Sequence, residues 1–221
     1  MIKPGEPWGS PTTADPDLEF AGPDAALARA VTAAAGALVR FWPDRTSDLA
    51  RAIGVAPGLP SVPGGTELPV DAIRLTGGAE HRLACNMSVL GPPPDRLGWS
   101  APSAALEVVV NGEPWFSGRA TTVVIATGQF LRGHDLVPRG HPGDGRIEVQ
   151  VYALERRERR GMRARLATGA HLPHPRISSR TGRRVEVRSS RELALEIDGE
   201  AAPPVTELTA EVVPAAYRLL I

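Results

Sequence analysis

The sequence predicts an α+β, mainly β fold: a short N-terminal α/β unit followed by a β-sandwich or barrel. Three observations carry that prediction. Glycine and proline number 23 and 22 in 221 residues, about a fifth of the chain against a usual roughly 12%, so turns are frequent. From residue 68 onward the apolar residues come in short runs rich in Val, Leu and Ile, separated by those turns, which is the pattern of strands. Helix-suited stretches lie almost wholly before residue 55.

The elements follow in order. Residues 1–17 are polar and rich in Pro and Gly, and read as extended. Leu18-Glu19-Phe20 reads as a short strand. Ala25 to Leu38 is Ala-rich with helical apolar spacing, and Pro23-Asp24 before it suits a helix start. Val39-Arg40-Phe41-Trp42 reads as a second strand. Thr46-Ser47-Asp48 opens a helix over Leu49 to Ile53, which Gly54 closes. The Pro/Gly loop of residues 55–66 supplies a boundary, giving units 1–62 and 63–221. Strands are expected at Leu68–Leu75, Arg82–Leu90, Ala104–Val110, Trp115–Ala126, Arg146–Leu154, Arg183–Arg188, Glu192–Ile197, Val205–Val213 and Tyr217–Ile221. Arg156–Leu166 is the helix of this half. No internal repeat is present.

Composition excludes several classes. Lys+Arg and Asp+Glu are 25 each, which argues against a wholly basic nucleic-acid protein or an acidic disordered chain. Cys85 is the single cysteine, so neither an internal disulfide nor a cysteine-based zinc site is expected. The N-terminal residues lack the apolar core of a signal peptide, and no run of 18 apolar residues occurs. The expected location is the cytoplasm.

Some residues could carry chemistry. Asp198-Gly199-Glu200 follows the alternating strand ELALEI. One of its acids could act as a general base, or the pair could be solvated acids at a hairpin turn. Pro142-Gly143-Asp144-Gly145-Arg146 could hold a hard cation such as Mg2+ or simply turn. Asp24 and Asp48 sit at strand-to-helix junctions, where α/β folds place ligands and where acids also cap helices. Asp71 lies among apolar neighbours and needs a partner. His171-Leu172-Pro173-His174 reads as a turn rather than a metal site. Trp8, Trp42, Trp99 and Trp115 read as core or staple residues. Between Arg156 and Arg191 stand twelve arginines against Glu158 and Glu186. That stretch suits an anionic membrane surface or a nucleic-acid backbone, or it is a solvated face. It holds no aromatic for base stacking, which disfavours nucleic acid.

Several of these strings, in order, resemble one family. Thr46-Ser47-Asp48-Leu49-Ala50-Arg51-Ala52-Ile53-Gly54 resembles the G-T-x-N-D-[FL]-A-R-x-[LI]-G motif of bacterial diacylglycerol kinases and related lipid and sphingoid-base kinases. Leu68–Leu75 is similar to a family strand with Asp71 as its acid, and Leu83–Gly91 to F-x-N-x-x-x-x-G through Asn86 and Gly91. Ala126-Thr127-Gly128-Gln129-Phe130 resembles x-N-G-x-[YF]-x-G-G, and Val137-Pro138 through Asp144-Gly145 resembles x-P-x-A-x-x-D-D-G. Asp198-Gly199-Glu200 matches the family's D-G-E, and Val212-Val213-Pro214 the x-V-x-P after it. The resemblance covers roughly residues 18–221.

The resemblance implies a remnant of an ATP-binding α/β domain over 1–62 and an NAD-kinase-like β-sandwich over 63–221, with the site between them. It implies ATP-dependent phosphoryl transfer to a lipid hydroxyl, a reaction catalysed mostly by positioning and electrostatics. Glu200 would activate the hydroxyl and Asp48 would lie near the phosphates. Gly22, Asp24, Thr46, Ser47 and Asp71 would belong to the nucleotide side. Asp144, with the main-chain oxygens of His141 and Arg146, would match a structural Mg2+ site. The arginine stretch would suit peripheral contact with the inner face of an anionic membrane.

The chain also departs from the pattern. The family's phosphate loop is G-G-D-G-T, whose backbone N–H groups cradle phosphates. Here it reads Gly22-Pro23-Asp24-Ala25-Ala26, and Pro23 has no N–H. The glycine and asparagine before the second motif's acid are Thr46 and Ser47. The family's first strand and its following turn have no counterpart before Leu18. The alternative is therefore a catalytically inactive relative that binds a lipid or metabolite or serves as a partner subunit. An exposed sheet edge in a shortened α/β unit would also invite a homodimer.

Overall fold

Aliphatic residues placed between frequent turns give strands, and most of this chain is strand. The structure is a computed structural model that describes residues 7–55, 65–77 and 80–221. In chain order the strands are β1 (Ser10–Pro11), β2 (Leu18–Gly22), β3 (Leu38–Pro43), β4 (Thr66–Gly77), β5 (Glu80–Ala84), β6 (Met87–Leu90), β7 (Ala104–Val110), β8 (Glu113–Ala120), β9 (Thr122–Ala126), β10 (Phe130–Leu131), β11 (His134–Asp135), β12 (Ile147–Tyr152), β13 (Ile177–Gly182), β14 (Arg184–Ile197) and β15 (Glu200–Leu220). The helices are α1 (Asp24–Ala33), α2 (Asp48–Ile53) and α3 (Arg156–Arg165). The mainly β, α+β expectation holds.

All strands except the β10–β11 hairpin join one branched ladder. Its spine runs β1-β4-β15-β14-β6-β9-β12-β13, with β5 on β4 and the β7–β8 hairpin on β14. The parallel pair β2–β3 attaches through β3 to the end of β15, also in parallel. β15 therefore pairs with β14 at one end and with β3 at the other. A bulge between Val213 and Tyr217, with Ala215 at φ 47, turns it between those two duties.

Three cores result. The first lies between the sandwich layers and includes Val108, Ile125, Val149, Val187 and Leu208. The second joins Leu27 and Val31 of α1 and Leu49 of α2 to Phe41, Val70 and Leu219. The third packs Met87, Val124 and Tyr152 against Met162 of α3 and Leu166. β9 shows how one strand serves two of them. Alternate side chains point to opposite faces, so Val123 and Ile125 enter the first core, while Val124 and Ala126 enter the third. Each fully buried aliphatic side chain contributes roughly 1.5–3 kcal/mol.

Some expected elements change. α1 stops at Ala33, because Gly36 turns the chain at φ 77 and Leu38 begins β3. Arg82–Leu90 is two strands, broken at Cys85-Asn86, and Trp115–Ala126 is two, broken at Thr121. Conversely, Arg183–Arg188 and Glu192–Ile197 merge into β14, and Val205–Val213 and Tyr217–Ile221 into β15. β13 was not expected: Ile-Ser-Ser-Arg-Thr-Gly shows no apolar alternation and is strand because it pairs with β12. Trp99 is not a core residue but is 63% exposed. The expected boundary at 62/63 lies outside the described residues.

Candidate functional site

Short helices need acceptors for their first N–H groups, and α2 takes two of them from its own sequence and from α1. Ser47 caps it, its Oγ accepting from Ala50 N at 2.9 Å. Asp24, the first residue of α1, reaches across. Its Oδ1 accepts from Ser47 Oγ, and its Oδ2 accepts from Asp48 N and Leu49 N at 2.9 Å each. The Asp24 side chain is buried, and that burial pushes its pKa up to about 6 against the opposing pull of these bonds.

Asp48 points the other way. One carboxylate oxygen accepts from Gly133 N at 2.7 Å and the other from Arg132 N. Those two N–H groups belong to the β10–β11 turn, where Arg132 and Gly133 have φ 50 and 76. The Arg132 guanidinium is forked onto Asp95 at 2.9 and 2.7 Å and also pairs with Glu196. Nothing in the sequence marked Arg132, whose partners lie 37 and 64 residues away. Thr46 is exposed and closes a turn on Asp44 Oδ1.

Asp71 and Asp144 form a second locus. The buried Asp71 carboxylate accepts from Gly145 N at 2.6 Å and Ala215 N at 2.9 Å, and burial raises its pKa. This is the partner that an acid among apolar neighbours requires. Asp144 Oδ1 accepts from Arg146 N at 3.0 Å, and burial raises its pKa too. His141 packs edge-on against Trp8 at 4.6 Å, and its Nδ1 accepts from Gly143 N. Among the described residues no group of three His, Cys, Asp or Glu side chains could hold a metal ion.

The third locus is the turn Asp198-Gly199, φ 48 and 85, between β14 and β15. The solvated-acid reading of this turn is wrong for Asp198. Its Oδ2 accepts from Cys85 N at 2.7 Å, and its Oδ1 from Asn86 N at 3.0 Å and Met87 N at 2.9 Å. This explains the break between β5 and β6: their connecting N–H groups bond to a carboxylate instead of a strand. Burial, reinforced by the charge of Asp24, pushes the Asp198 pKa up to about 7 despite these donors. Glu200 is open by contrast, with 53% of its side chain exposed. It pairs with Arg29 of α1 at 2.6 Å, which holds its carboxyl below the ordinary value.

Glu200 and Arg29 stand at a cavity of about 380 Å³ between α1, β5 and the start of β15. A second cavity of about 240 Å³ shares Arg82, Ile197 and Ala202 with it and continues over Leu75, Leu195, Val205 and Leu208. Charged groups thus mark one end of a groove and aliphatic side chains the other. Neither Arg29 nor the apolar arm was legible in the sequence.

The structure therefore brings Asp24, Ser47 and Asp48 together at the start of α2, and Asp71, His141 and Asp144 at another loop, while Glu200 stands at the groove. Ala25, beside Asp24, lines the groove, so α1 links the first locus to the third. The α1 start does not fit a phosphate cradle. Pro23 offers no N–H, Ala26 N turns back to the Pro23 carbonyl at 3.1 Å, and both Asp24 oxygens carry protein hydrogen bonds.

Residues 99–221 match the family model of the YegS C-terminal NAD kinase beta sandwich-like domain. The chain belongs to that family. Solved structures agree on the fold of this YegS-type chain. A diacylglycerol kinase from Bacillus anthracis aligns with a TM-score of 0.71 at 14% identity, over 92% of this chain and 77% of that one. Another structure from that organism reaches 0.73 at 14% identity, over 92% and 76%. Yeast NADH kinase complexed with NADH aligns at 0.55 with 13% identity, over 92% of this chain and 62% of its own. No curated protein matches the sequence. No described helix is long and apolar enough to cross a membrane.

Proposed function

We propose that this lipid-kinase-like chain binds an amphipathic, hydroxyl-bearing ligand of the lipid class in the groove beside Glu200, without phosphoryl transfer. The observation that carries this reading is the pair of cavities sharing Arg82, Ile197 and Ala202, with the Arg29–Glu200 pair at one end and Leu75, Leu195 and Leu208 at the other. A polar head would meet charge and hydrogen-bonding groups, and a chain would meet aliphatic surface. Asp24 and Asp48 hold backbone N–H groups, so their work in this reading is to shape the groove's α1 wall.

Dioctanoylglycerol tests it. The ligand should raise Tm in the parent and not in Ala202→Trp, which fills the shared part of both cavities. ATP should add no Tm shift beyond that given by Mg2+ alone, whereas a ligand at 100 times its Kd stabilises by about 2.7 kcal/mol. A shift with ATP and none with the lipid overturns the proposal.

Phosphoryl transfer is the second reading, favoured by one observation: Glu200, kept ionised by Arg29, lines the cavity as a general base would. Labelled γ-phosphate appearing in a lipid extract, and vanishing in Glu200→Gln, would establish it. Mg2+ in either reading belongs with Asp144 and the carbonyl oxygens of His141 and Arg146. Mg2+ should then raise Tm in the parent and not in Asp144→Ala.

A further inference from the structure

α3 carries a large excess of positive charge. Six of its ten residues are arginine, and two of them, Arg156 and Arg157, occupy the first turn, where the helix dipole disfavours cations. Its one acid, Glu158, is spent on the Glu155 N–H at 2.8 Å and on Arg176. Arg157 pairs with Glu155. Arg156, Arg160, Arg163 and Arg165 are exposed and have no ion pair among the described residues. Arg156, Arg160 and Arg163 are spaced i, i+4, i+7, so they line one face.

The loop beside this helix is equally unusual. Arg159 is 5% exposed and has no carboxylate partner among the described residues. Its Nη1 instead donates to the carbonyl oxygens of Gly98, Trp99 and Ala101 at 3.0, 3.0 and 2.9 Å. A buried cation is costly unless hydrogen bonds replace its lost water. These bonds fix the backbone of Trp99, the large hydrophobic side chain left exposed among the described residues, onto the arginine helix.

We propose that Trp99 and the exposed arginines of α3 form a docking surface for an anionic membrane. Indole rings settle at the boundary between lipid headgroups and chains, and unpaired arginines on one helix face complement anionic headgroups. A single aromatic with no aromatic neighbour among the described residues to continue a stacking track suits a bilayer better than a nucleic-acid strand. The proposal does not depend on the groove reading, and groove ligands play no part in its test.

The test is sedimentation with phosphatidylcholine vesicles, with and without phosphatidylglycerol. The parent should bind the anionic vesicles, release with added salt, and show a blue shift of tryptophan emission. Arg160→Gln with Arg163→Gln should weaken binding about 25-fold, about fivefold for each arginine. Trp99→Ala should lose the blue shift. Both variants change exposed side chains, and an unchanged Tm verifies their folding. Absence of binding at low salt, equal binding to neutral vesicles, or full binding by the double variant overturns the proposal. So does duplex DNA binding that the double variant loses while vesicles stay unbound.

Discussion

Asp198 and Glu200 stand two residues apart on one turn in opposite circumstances. Asp198 is folded under the chain, where it holds three consecutive N–H groups of the β5–β6 link. Glu200 faces the groove and meets Arg29 across it. The same contrast separates Asp24, closed over the start of α2, from Arg29 one turn and a half further along α1. Acids that replace missing backbone partners hold the architecture, and the charges left at the groove mouth are available to a ligand. The first kind should be costly to change and the second nearly free.

The largest effect that could break this contrast is at Asp198. Alanine there strands three buried donors, and each such loss costs about 1–3 kcal/mol. Asp198→Ala should lose about 3–5 kcal/mol in urea unfolding, and Asp198→Asn, which keeps one acceptor oxygen, about half as much. Asp24→Ala should follow at about 2–3 kcal/mol, since it removes the acceptor of two α2 N–H groups and of the Ser47 hydroxyl. A loss under about 0.5 kcal/mol at either position would contradict their structural role.

The pH dependence sharpens the same comparison. Asp198 titrates at about 7 and Asp24 at about 6 in the fold, against about 3.9 in an unfolded chain. Between pH 4 and 7 the folded state therefore binds more protons, so stability falls as pH rises through that window. Tm should be higher at pH 5 than at pH 8, by the equivalent of about 2–4 kcal/mol. Asp24→Asn should flatten the part of the profile near pH 6. The smallest expected effect is at Glu200. The pair with Arg29 is exposed, and such pairs are worth about 0–1 kcal/mol, so Glu200→Gln should leave the unfolding midpoint nearly unchanged while altering the groove's ligand response.

Much of the fold was legible before the structure. Gly54 closes α2 in the left-handed conformation expected of it, at φ 73, and Ser47 caps that helix with its hydroxyl. β7 falls where the aliphatic run Ala104–Val110 put it. The site was less legible. Asp24, Asp48, Asp71, Asp144 and Glu200 stand out as residue types, but their roles depend on partners remote in the chain. Asp24 meets Ser47 across 23 residues, Asp71 meets Ala215 across 144, and Arg29 meets Glu200 across 171. Residue type marks which groups can bond, and says nothing of which donor the fold brings near.

The sequence by itself determined the β-rich grammar, the two short helices before residue 55, the family, and the loss of a backbone donor at Pro23, because these depend on local periodicity, turn chemistry and single residues. Tertiary structure alone decided the division of labour between Asp198 and Glu200, the hub at Arg132, the exposure of Trp99 and the existence of an apolar groove. Those follow from which elements pack together, and burial, rather than residue identity, decides whether a charge becomes a structural acceptor or an open group at the surface.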